Sequence, residues 1–114
     1  RNEKRASKLR IGMANDNLNR VQDDIRLEVQ TARVSLIQAL ERVRLSESSL
    51  EKAKENEQKA LERYTEGRIS IVEVIDAQTY RQTSQVNYVQ ARAAAQIQYS
   101  ALLKATNRYN MASR

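Results

Sequence analysis

The sequence has no proline, cysteine, histidine, tryptophan or phenylalanine, and only two glycines, Gly12 and Gly67. With breakers so rare, little stops a helix once it has started. The absence of cysteine excludes disulfides and thiolate chemistry and leaves the compartment open. With no histidine either, a metal site would rest on carboxylates alone. The only tight acidic pairs are Asp23/Asp24 and Glu73/Asp76, and neither stands beside the base or nucleophile that catalysis requires. We therefore expect no enzyme activity, no cofactor and no metal. No apolar run reaches eighteen residues, so no segment reads as a membrane-spanning helix. There is no signal-peptide pattern, and a chain that opens on Arg1 rather than Met reads as an excised piece of something longer.

What is present is helical material. Of 114 residues, 30% are charged and 40% hydrophobic, and the five aromatic residues are all tyrosine, too few to fill a thick core. Mean hydropathy is −0.74, as in a long exposed helix or coiled coil. Disorder is the competing reading of so polar a chain, but the apolar residues recur at helical spacing. Gly67 accepts a positive φ at no steric cost and is placed to end a first helix. Ser70 then caps a second, and Glu73 completes a capping box. A helix that stops and restarts within about four residues doubles back on itself. The expected fold is all-α, a long antiparallel two-helix coiled-coil hairpin with its turn near Glu66–Ser70.

The expected organisation is a basic overhang over residues 1–24, a first hairpin helix over 25–66, a tip turn at 67–70 and a second helix over 71–110. On the first helix the apolar stripe runs Leu18, Val21, Ile25, Val29, Ala32, Leu36, Ala39 or Leu40, Val43, Leu50, Ala53, Ala60 or Leu61, and Tyr64. It weakens around Ser46/Glu47 and Glu57. On the second we read Ile71, Val74/Ile75, Gln78, Gln82, Val86, Val89, Ala93, Ile97, Ala101 and Lys104. Tyr64 should then meet Ile71, Leu61 should meet Val74, and Val43 should lie near Arg92 and Ala93. The first helix has the longer arm, so its start should project beyond the second. Leu27, Val34 and Leu45 widen the stripe into a second apolar face, for which other helices are the natural cover. The isolated chain should therefore self-associate as a helical bundle, most simply an antiparallel dimer of hairpins.

A net charge of +6 raises the question of nucleic acid. Acids and bases interleave through residues 25–66, however, as on a solvated ion-paired face. The run Arg1, Lys4, Arg5, Lys8 and Arg10 is better read as a solvated or membrane-proximal end, and no nucleic-acid partner is expected. The tyrosines at 64, 80, 88, 99 and 109 are too dispersed for a stacking platform.

The turn carries a resemblance. Residues 63–78, Arg-Tyr-Thr-Glu-Gly-Arg-Ile-Ser-Ile-Val-Glu-Val-Ile-Asp-Ala-Gln, are similar to the tip of the second helical hairpin in TolC-family outer-membrane efflux proteins. That pattern is Tyr-x-x-Gly, a small hydroxyl residue three positions on, then an aliphatic run with an acid and a terminal Asp-Ala. The likeness continues through residues 86–93 and ends at 99–107, where Asn107 stands in place of the usual glycine. Residues 25–33 resemble the start of the long helix descending to the tip.

The resemblance implies the C-terminal periplasmic hairpin of a trimeric channel in the bacterial outer membrane. Twelve helices form its tunnel, and drugs, toxins or other exported molecules pass through it passively. An inner-membrane pump supplies the energy, and a periplasmic adaptor docks on the tips. Tyr64, Gly67, Arg68, Ile69, Ser70 and Ile71 would form the docking tip, and Glu73 and Asp76 an acidic ring at the entrance. The family's gate-holding tyrosine matches Tyr64, whereas its gate-holding basic residue falls at Ile69, one position from Arg68. The runner-up is the hairpin of a periplasmic adaptor or another coiled-coil scaffold.

Overall fold

The computed structural model describes residues 2–112, so Arg1 of the basic run lies outside the described residues. Two helices account for nearly all of it: α1 (Asn2–Thr65, 64 residues) and α2 (Ile71–Ala112, 42 residues). They form the expected antiparallel hairpin. No strand occurs among the described residues. The chain divides into a tip unit, Leu36–Gln98, and a base unit made of the described parts of Arg1–Ser35 and Tyr99–Arg114.

In the tip unit, α1 turns Leu36, Ala39, Val43, Ser46, Leu50, Ala53, Glu57 and Ala60 away from solvent, in strictly alternating steps of three and four. This is a heptad seam. It settles two ambiguities, taking Ala39 over Leu40 and Ala60 over Leu61, and it runs on unbroken through Ser46 and Glu57. Ala53 is fully buried and Leu50 is 6% exposed.

On α2 the seam differs from expectation. Its inward residues are Val74, Ala77, Arg81, Ser84, Tyr88, Ala91, Ala95 and Gln98, again in threes and fours, with Gln78 and Ala94 half-buried beside them. Only Val74 and Gln78 of the anticipated stripe survive. Gln82, Val86, Val89, Ala93 and Ile97 are all exposed, Val86 at 54% and Val89 at 58%. The physical reason is close approach: Ser84, Ala91 and Ala95 let two backbones come together where valine and isoleucine would hold them apart.

Polar bonds pin this thin seam. Arg81 Nε donates to Glu57 Oε2, with side chains only 28% and 20% exposed, and Arg81 Nη1 donates to Gln85 Oε1 at 2.9 Å. Arg81 and Glu57 both occupy seam positions, so the ion pair replaces a hydrophobic layer and marks the register.

In the base unit, Ile25, Val29 and Ala32 of α1 turn inward, as do Leu102, Ala105, Thr106 and Ala112 of α2. The expected Ala101 and Lys104 are exposed. Arg108 Nη1 donates to both carboxylate oxygens of Glu28 at 3.2 Å on an exposed edge. Residues 2–24 are exposed throughout, including Leu9, Ile11 and Leu18. Ile25 is the first buried side chain, so the inner stripe begins one heptad later than Leu18 and Val21 suggested.

Candidate functional site at the hairpin tip

The turn is built from backbone hydrogen bonds. Gly67 has φ 74°, a conformation that costs an L-residue energy and glycine nothing. Its N–H donates to Tyr64 O at 2.9 Å, and the Arg68 N–H donates to Arg63 O at 2.8 Å. These two bonds define a Schellman motif with Gly67 as the residue just past the helix end, and they satisfy carbonyls that α1 would otherwise leave open. Thr65 Oγ1 donates to Leu61 O at 2.9 Å and tightens the last turn. Arg68 Nε lies 3.2 Å from Glu66 Oε2, an exposed pair that contributes little to stability.

Ser70 occupies the N-cap position, since its carbonyl accepts the first bond of α2 from Val74 N at 3.4 Å. The anticipated capping box does not form: among the described residues, neither the Ser70 hydroxyl nor the Glu73 carboxylate makes a hydrogen bond. Both residues are exposed, which leaves the open N–H groups of the first turn accessible to solvent.

The tip displays apolar surface around this frame. Tyr64 is 45% exposed, Ile71 49%, Val72 61% and Ile75 51%, while Ile69 is half-buried. Val74 faces inward at 2%, but Leu61, its expected partner, stays 37% exposed and yields the seam to Ala60. Glu73 and Asp76 are exposed and carry no ion pair or hydrogen bond among the described residues. Of the tyrosines, Tyr88 is the one at a seam position in this unit, and the Arg92 guanidinium lies 5.6 Å from its ring centroid.

A shallow depression lined by Arg42, Ser46, Asn87, Gln90 and Ala91 lies along one side of the seam. Another, on the outer side of α2, is lined by Gln82, Gln85, Val86, Val89 and Gln90. Neither encloses the convergent polar groups of a catalytic pocket. No cluster of three or more acidic, histidine or cysteine side chains suited to a metal occurs among the described residues. No described helix is long and apolar enough to cross a membrane.

Sequence reasoning missed two features of this unit. One is the Glu57–Arg81 pair, whose signal was the heptad counted forward from Val74. The other is the set of lysines and arginines on the same side of the hairpin as Glu73 and Asp76. Comparison of the chain with protein-family models, with characterised proteins and with solved structures gives no match.

Proposed function

We propose that this hairpin is part of the periplasmic helical wall of a TolC-like outer-membrane export channel. Its tip docks a periplasmic adaptor, the assembled channel is a homotrimer, and solutes driven by an inner-membrane pump pass through it passively. Tyr64, Gly67, Arg68, Ile69, Ser70 and Ile71 are the docking surface in this reading. The expected entrance ring of Glu73 and Asp76 does not fit it, because the curvature set by the two stripes of α2 turns both residues to the convex side.

The observation that carries the reading is that α2 has two stripes of heptad spacing, on opposite sides. One is the buried seam of Val74, Ser84, Ala91 and Ala95. The other is the exposed series Ile75, Gln82, Val86, Val89 and Ala93. Seven residues in two turns place heptad positions about 51° apart, so the midlines of these stripes are separated by about 154°. A helix gripped along two such lines bends its row of neighbours by only about 26°, and the row closes after on the order of a dozen helices. That spacing supports a wall around a lumen, with the Gln78 and Gln85 edge on the concave side. A compact bundle would place the second stripe beside the first.

One observation favours the runner-up. In the tip unit, the side of α1 opposite its seam carries Glu41, Glu51, Glu55 and Glu62. That side is suited to water rather than to a further helix, as in a free-standing adaptor hairpin. In-cell photocrosslinking separates the two readings. A crosslinker at Val86 should trap other helices of the same channel, and one at Ile71 a separate adaptor, both in the outer-membrane fraction. Recovery of the chain outside the cell envelope, or Val86 adducts confined to lipid or solvent, refutes the wall.

A further inference from the structure

The side of the hairpin that carries Glu73 and Asp76 can be followed along the tip unit by heptad position. Arg42, Asn87 and Gln90 line one depression and so share one side. Glu73 stands fourteen residues before Asn87, Asp76 fourteen before Gln90, and Arg63 twenty-one after Arg42, each a whole number of heptads. Lys52 and Lys59 occupy the α1 position that flanks the same edge, as Gln90 and Asp76 do on α2. The Glu28–Arg108 ion pair in the base unit joins the equivalent edges there.

This side has a net positive charge, four bases against two acids, with Glu55 and Glu62 within about one turn of Lys52 and Lys59 on the adjoining position. Arg42, Lys52, Lys59 and Arg63 face Glu73 and Asp76, and the helical positions between them on both helices are uncharged. All six residues are exposed, and none has an ion-pair partner among the described residues. On the rest of α1 in this unit, by contrast, Arg44 pairs with Glu41 and Lys54 with Glu51. Lys52 and Lys59 are about 10 Å apart along the axis and Arg63 about 6 Å further on. At 0.1 M salt the Debye length is about 10 Å, so their fields overlap.

We propose that Lys52, Lys59 and Arg63 make this face selective for anionic solutes, outweighing Glu73 and Asp76. What that selectivity means for transport rests on the proposed function: in the curved row described above this side is the convex one, so the charge would draw carboxylates and phosphates to the outside of the tip rather than line the passage. The surface charge itself does not depend on that reading.

The test uses the chain alone. Paramagnetic broadening of its backbone amide NMR signals is compared between an anionic carboxylate-bearing nitroxide and a cationic ammonium-bearing one at about 0.02 M salt. Amides of residues 52–63 should broaden at least twofold more with the anionic probe. Amides around Gln78 and Gln85, uncharged residues on the opposite edge of the hairpin, serve as internal reference. Replacing Lys52→Gln, Lys59→Gln and Arg63→Gln together should invert the preference near Glu73 and Asp76. Equal broadening by the two probes in the unsubstituted chain overturns the proposal, as does an anionic preference that survives the triple substitution. Should the triple variant fail to fold, the two-probe comparison on the original chain still decides. A confirmed anionic preference together with failed crosslinking would remove the channel and leave this face standing.

Discussion

Gly67 and Gly12 allow one substitution to be tried in two backbone settings with opposite expected signs. At Gly67, φ is 74° and nothing lies within 4 Å of an added Cβ, so the penalty for alanine is backbone strain alone. Left-handed geometry costs an L-residue roughly 1–2 kcal/mol. Alanine also stiffens the unfolded chain, which offsets about 0.4–1 kcal/mol of that. Gly67→Ala should therefore destabilise the hairpin by up to about 1.6 kcal/mol, a fall in Tm of some 4–8 °C per kcal/mol for a chain of this size. Gly67→Val should cost more, because a β-branched residue is a true outlier at positive φ. Gly67→Asn should cost less, since asparagine tolerates this region.

Gly12 has ordinary helical geometry and equally open surroundings. Gly12→Ala should raise helix content, by up to about 1 kcal/mol of local propensity. Urea titration followed by circular dichroism at 222 nm reads both. If Gly67→Ala and Gly12→Ala change stability with the same sign, or if asparagine at 67 is as damaging as valine, strain at the turn is not what these residues control.

The Glu57–Arg81 pair, half-buried within the seam, should lose about 1–2 kcal/mol on removal of either partner, between the exposed and buried extremes. The double variant should recover part of that loss in a denaturation cycle. The exposed Glu28–Arg108 pair should be worth under about 1 kcal/mol in the same cycle. Val86→Lys with Val89→Lys should abolish self-association at high concentration, seen by sedimentation, and leave the far-ultraviolet dichroism unchanged. Both residues lie on the outer stripe and neither touches the seam. The Glu41 carboxyl should titrate below its ordinary value of 4.5, because the Arg44 guanidinium bonds to it. Its depressed pKa stabilises the helix above that range and the effect fades as pH falls, so Arg44→Gln should return the NMR titration midpoint to normal.

The turn was legible in the sequence because its requirement is local. A glycine flanked by long helical stretches, followed three residues later by serine, specifies a left-handed residue and a restart whatever packs around it. The α1 seam was legible for a related reason: its heptad carries most of the apolar residues available between Ile25 and Ala60, so hydrophobicity and geometry agree there. On α2 they disagree. Its two stripes share one period, and periodicity alone cannot rank them. Hydropathy favours Val86, Val89 and Ile97, whereas close approach of the helices selects Ser84, Ala91 and Ala95. Ranking side chains by transfer energy leaves out the dispersion attraction between two backbones that draw together. Arg81 was hidden by the same error, because a charged residue looks misplaced in a seam until its partner at Glu57 is seen.

The inversion on α2 bears on why the hairpin exists. Among the buried apolar residues of the described part of the chain, only Ile25, Leu50 and Val74 are larger than alanine. The interior therefore contributes little transfer energy, since a buried methyl is worth only about 0.8 kcal/mol. Ile75, Val86 and Val89 each remain more than half exposed, and covering the rest of one such side chain would contribute about 1 kcal/mol. Apolar surface thus awaits burial outside the hairpin in addition to that hidden within it. A sequence selected for a free-standing two-helix coil would place its valines and isoleucines the other way round. In this chain the small seam lets α1 and α2 approach closely, and the outer stripe leaves apolar surface that a second copy would cover in the expected self-association. Self-association through that stripe would couple folding to association, which predicts a melting temperature that rises with chain concentration. It should rise further, at any one concentration, in variants that strengthen the outer contact; a melting temperature independent of concentration refutes the coupling.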